Sequence, residues 1–100
     1  MVFGGIVTSP RGTLSPSQAL ELARVYLENA RQVKDTKISL VLCHDTEVSL
    51  SQAKRAAKYT DDPTLNEGIA TSYIGLGKLL HDRGHHVEAQ TSFKKAQKLG

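Results

Sequence analysis

The stretch PTLNEGIATSYIGLGKLLHDRGHHVEAQTSFKKAQKL, residues 63–99, decides the fold. Leu65, Ile69, Tyr73, Leu76 and Leu80 recur at steps of three and four, with Gly77 on the same face, which is the apolar stripe of an amphipathic helix. Asp62 stands before it as an N-cap, and Pro63 occupies the first helical position, where a missing N–H costs nothing. Glu67 follows in the early turns, where the helix dipole favours an anion. Asp82-Arg83-Gly84 ends the helix at a glycine that can reverse the chain. A further helix is expected from about His86 to Leu99, with Ala89, Phe93 and Ala96 inward and Lys94, Lys95 and Lys98 mostly outward. The link between these two helices is so short that they must lie antiparallel, as a hairpin.

Upstream, Ser15-Pro16-Ser17-Gln18 reads as a capping box with Pro at the first helical position. Ala19, Ala23, Tyr26, Leu27, Ala30 and Val33 then make one helical stripe. Asp35 is the N-cap of a second helix running to about Lys58, with Ile38, Val41, Leu42, Thr46, Leu50, Ala53 and Ala57 as its expected inner face. Tyr59-Thr60-Asp61-Asp62-Pro63 separates the halves. Residues 1–14 hold three glycines and Pro10 and show no period, so they are expected to form a flexible arm before a helical domain over 15–100. The fold class is therefore all-α, with four helices as two antiparallel hairpins.

Composition narrows the function. Hydrophobic residues are 39% and charged residues 23% of the chain, which suits a globular domain and not a disordered one. With no Trp and five aromatic residues in a hundred, the core must be Leu, Ile, Val and Ala in closely packed helices. A net charge of +3 is too weak to imply nucleic acid without a patch. Lys54, Arg55, Lys58, Lys94, Lys95 and Lys98 gather near helix C-termini, where cations are favoured, and no stacking aromatics accompany them. No run of apolar residues approaches a membrane span. Cys43 is the single cysteine, which fits a reducing, cytoplasmic setting and a small core residue. Cys43 and His44 are neighbours and point about 100° apart on a helix, so they cannot pair as nucleophile and base. Gly84 divides His81 from His85 and His86, and no further ligand completes a metal site. No catalytic residue, metal or cofactor is expected, and the chain is not read as an enzyme.

Tyr73-x-x-Leu76-Gly77, then Gly84, then Ala89-x-x-x-Phe93, resembles the tetratricopeptide repeat, a helical hairpin that stacks on copies of itself. The likeness covers residues 70–100. It departs from the family at Tyr73, where Trp is usual, and at Leu80, where an aromatic is usual. Leu50 and Ala53 stand to the second helix as Phe93 and Ala96 stand to the fourth, so the first hairpin resembles a degenerate repeat. The resemblance implies an α-solenoid fragment whose Gly77 and Ala89 let two helices cross closely, with Phe93 between this hairpin and its neighbour. It also implies a non-catalytic protein-interaction module or scaffold piece. A partner peptide or helix would lie in a groove at Thr71, Ile74, Lys78 and His81. The family's carboxylate clamp uses a Lys and Asn residues; Lys78 matches in type, and no Asn stands at those places. Because repeats stack, Phe93, Ala96 and Leu99 are expected to form an association edge for a homodimer or another helix. The alternative function is a structural homo-oligomerisation domain, or a fragment of a larger multidomain repeat protein.

Overall fold

The structure, a computed structural model, describes residues 15–60 and 62–99. Four α-helices account for nearly all of them: α1 (Pro16–Gln32), α2 (Thr36–Ala57), α3 (Pro63–Asp82) and α4 (His86–Leu99). The expected arm over residues 1–14 lies outside the described residues. Each start has a physical signal that the sequence carried. The Ser15 hydroxyl accepts from the Gln18 N–H at 3.2 Å while the Gln18 side chain accepts from the Ser15 N–H at 3.0 Å. Asp35 accepts from the N–H groups of Lys37 and Ile38, and Asp62 from those of Thr64 and Leu65. These bonds satisfy donors that a helix N-terminus leaves without a partner. Gly84 has a φ of +87°, the left-handed conformation that glycine adopts without steric cost, and turns α3 into α4.

The helices pack as two hairpins, α1 with α2 and α3 with α4, and α3 lies against both helices of the first hairpin. Two glycines of α3 make that position possible. A Cβ at Gly68 would sit 2.9 Å from Leu20 of α1, and one at Gly75 would sit 3.0 Å from Arg31 and 3.2 Å from Leu27. On another side of α3, a Cβ at Gly77 would stand 2.6 Å from the Phe93 ring of α4. The Phe93 ring therefore covers Gly77 inside its own hairpin. Tyr73, Ile69, Leu76 and Leu50 are the large side chains that the core encloses fully.

One expected face is rotated. Ile38 and Val41 of α2 are 52% and 60% exposed, while Ser39, Cys43 and Thr46 are buried. From Thr46 onward the expected stripe of Thr46, Leu50, Ala53 and Ala57 is buried as read. At Ser39, α1 comes against α2 through Ala30, where small side chains on both helices allow a close approach. Ser39 is accepted into that seam because its hydroxyl donates to the Ala30 carbonyl at 2.9 Å. The Thr46 hydroxyl donates to the Leu42 carbonyl at 2.8 Å, so neither buried polar group is left unpaired.

Arg83 fastens the hairpins together. Its guanidinium donates to the carbonyls of Ala30 and Val33, at 3.4 Å and 3.2 Å, around the C-terminal end of α1. A cation there also meets the negative end of the helix dipole.

The Gly77–Phe93 contact yields a direct prediction. Gly77→Leu should lower stability by about 1–3 kcal/mol through overpacking, a loss of roughly 4–8 °C in melting temperature per kcal/mol for a domain this size. Adding Phe93→Ala should return part of the loss by making room, which a double-mutant cycle on thermal melts would read as favourable coupling. Strictly additive losses would show that the two side chains do not meet.

Candidate functional site

Thr71, Ile74, Lys78 and His81 follow one another at steps of three and four along α3, and the structure leaves all four exposed on one face. They differ in how free they are. The Thr71 hydroxyl already donates to the Glu67 carbonyl at 2.9 Å. His81 reaches the start of α4, where its Nδ1 lies 2.8 Å from Nδ1 of His86, one ring donating and the other accepting. Ile74 is 40% exposed, an apolar side chain in the middle of the face.

The glycine contacts bring α1 alongside this face. Arg24 and Arg31 lie on α1 with their carboxylate neighbours Glu21 and Glu28 at 3.8 Å and 3.5 Å. Between the C-terminal halves of α1 and α3 is a cleft of about 530 Å³, lined by Arg31, Gly75, Lys78, Leu79, Asp82 and Arg83. Three cationic side chains face one carboxylate there, so the cleft is electropositive. Of the four expected groove residues, Lys78 is the one that lines it. Arg31 and Arg83 were missed by sequence reasoning. Arg24 and Arg31, seven apart on one face of the preceding first helix, were the available signal for a charged wall.

Phe93, Ala96 and Leu99 lie differently from an open edge. Ala96 is buried, Phe93 covers Gly77, and both Phe93 and Leu99 are half-buried against the core. On α4 the exposed large apolar residue is Val87 at its start, and the first hairpin exposes Val25 on α1 and Ile38, Val41 and Val48 on α2.

A second cavity of about 330 Å³ opens between α2 and α4 over the C-terminal half of α3. Leu40, Cys43, Leu76 and Leu80 line it, and the ion pair of Glu47 with Lys95 crosses from α2 to α4 along it. Cys43 is 3% exposed, and burial pushes its thiol up from the ordinary value of 9.0, against smaller downward effects of the Arg83 charge and a hydrogen bond with Ser39. At neutral pH the group is a thiol, not the thiolate that nucleophilic chemistry needs. Tyr73 is fully buried, and burial likewise raises its hydroxyl from 10.0, partly offset by the hydrogen bond with Ser51 at 3.5 Å and the charge of Lys95. His85 and Glu88 pair at 3.7 Å on the far rim. Among the described residues, no three His, Cys, Asp or Glu side chains gather as a metal site. No helix among them is long and apolar enough to cross a membrane.

In comparisons with known proteins, no family model, no curated protein and no solved structure matches the chain.

The two raised groups set an alkaline limit on stability. In the folded protein Cys43 and Tyr73 keep protons that the unfolded chain loses above its ordinary values of 9.0 and 10.0. The unfolded state then binds fewer protons, so stability is full below about pH 9 and falls as pH climbs through the raised values. Urea midpoints should stay level through neutral pH and decline above it, and Cys43→Ala should remove the earlier part of the decline. A midpoint that stays level into strongly alkaline solution would contradict the burial of both groups.

Proposed function

We propose that this chain is a tetratricopeptide-like protein-interaction module, non-catalytic, holding an extended segment or helix of a partner protein on the face made by α1 and α3. The observation that carries this reading is the side-by-side contact of the two first helices across Gly68 and Gly75. That contact makes one continuous surface out of two hairpins, with Ile74 exposed at its middle and Arg31, Lys78 and Arg83 in the cleft beside it. The motif spacings of Tyr73, Leu76, Gly77, Ala89 and Phe93 support the same reading.

The chemistry of the face suggests the partner. Three cations against Asp82 favour a segment with acidic side chains, and Ile74 offers a place for one apolar residue. A peptide gripped in this way gains affinity from charge pairing that salt weakens. The buried thiol of Cys43 suits a reducing compartment, and a cytoplasmic setting goes with it.

Selection from a random displayed-peptide library tests the proposal. Enriched peptides should be acidic with an apolar residue, and should bind more weakly as salt rises. Lys78→Glu or Ile74→Asp should each weaken them at least about tenfold, which is 1.4 kcal/mol, while Lys98→Glu on the exposed side of α4 should not. Enriched peptides that bind both groove variants as well as the parent would place the binding surface elsewhere.

A further inference from the structure

The exposed face of α2 has a heptad pattern that the packing among the described residues does not use. Ile38, Asp45 and Gln52 recur every seven residues, and Val41, Val48 and Arg55 recur every seven beside them, as the a and d positions of a coiled-coil seam. Ile38, Val41 and Val48 are 52%, 60% and 42% exposed, on the face turned away from the buried line of Ser39, Cys43, Thr46 and Leu50. Solitary exposed apolar residues are ordinary, but three in register on one helix face mark a contact surface. The seam is interrupted by a charge of each sign. Asp45 is half-buried within it, Arg55 is exposed, and among the described residues neither has an ion-pair partner.

We infer that α2 pairs with α2 of a second copy of this chain, antiparallel, about a two-fold axis at the level of residue 50. The charges choose both the occupant and the register. In an antiparallel coiled coil an a position faces a d position of the other helix. About residue 50, Asp45 of each copy faces Arg55 of the other, Val48 faces Gln52, and Val41 faces Tyr59. The two Asp–Arg pairs then lie about 15 Å apart along the seam, ten residues at 1.5 Å each. Sliding the helices by one heptad sets Asp45 against Val48, which buries a carboxylate with no partner, or against Asp62, which opposes two like charges. A single polar position of this kind is a known way to fix register at some cost in strength. Tyr59, 92% exposed in the turn just after α2, is a large ring that the described residues leave uncovered, and this register brings it near Val41 of the other copy. The pairing is isologous, so it closes as a dimer and leaves the α1–α3 face of each copy open.

Sedimentation of the whole chain over a concentration series tests the inference, with circular dichroism confirming that every variant keeps its helices. The parent should sediment as a dimer at high concentration, and Val48→Glu should make it a monomer. Asp45→Arg alone and Arg55→Asp alone should each weaken the dimer at least tenfold, because like charges then face each other twice. An equimolar mixture of those two variants should form a heterodimer, and Asp45→Arg with Arg55→Asp in one chain should restore the homodimer. A parent that stays monomeric up to millimolar concentration would overturn the inference. So would a dimer that is indifferent to Val48→Glu, or one whose two charge variants fail to complement.

Discussion

Everything in this molecule hangs on how closely α3 approaches its neighbours. It packs against all three other helices, and its contacts with α1 and α4 run over glycines. At Gly68 and Gly75 a single added carbon would press on Leu20, Arg31 and Leu27, and at Gly77 it would press on the Phe93 ring. A chain with no Trp and few aromatic residues cannot fill wide gaps between helices. It stabilises the core by closing the gaps, since dispersion contacts are lost as soon as two surfaces part. The glycines weaken α3 as an isolated helix, each by about 1 kcal/mol relative to Ala, so the packing they permit must offset that cost.

The same approach sets what the surface can do. With α1 drawn against α3, two first helices present a single face, and the cations of Arg31, Lys78 and Arg83 converge at one end of it. Arg83 serves both sides of this arrangement, because it donates to the C-terminal carbonyls of α1 while lining the cleft. The opposite face of the first hairpin keeps Ile38, Val41 and Val48 outside, so the proposed binding face and the proposed self-pairing face are separate.

Element boundaries were legible because they rest on local chemistry: Ser15, Asp35 and Asp62 accept from the first N–H groups of their helices, and Gly84 alone can take the turn. The N-terminal half of α2 was not legible from period alone. Ile38 and Val41 lie on one stripe, Ser39 and Cys43 on another, and both stripes have helical spacing. Hydrophobicity favours the first, but the contact with α1 selects the second, where Ser39 packs against Ala30 and bonds to its carbonyl. A property of the neighbouring helix decided the face. The candidate groove shows the same limit. Thr71, Ile74, Lys78 and His81 share a face because spacing on one helix guarantees it, whereas Arg31 and Arg83 join Lys78 only through packing between hairpins. Phe93 and Leu99 looked like an open edge because the repeat pattern assigns Phe93 to the contact with a neighbouring hairpin, yet Gly77 leaves a hollow that the Phe93 ring fills from within.

The account is tested most directly by the contact of α1 with α3 across the glycines. Nuclear Overhauser spectra of the chain in solution should show cross-peaks from the Gly75 α-protons to the Leu27 methyl groups, and from the Gly68 α-protons to those of Leu20. Both pairs present would establish that the two first helices form one surface. Their absence, in spectra where the Gly77 α-protons do reach the Phe93 ring, would leave the second hairpin intact and contradict its placement against α1.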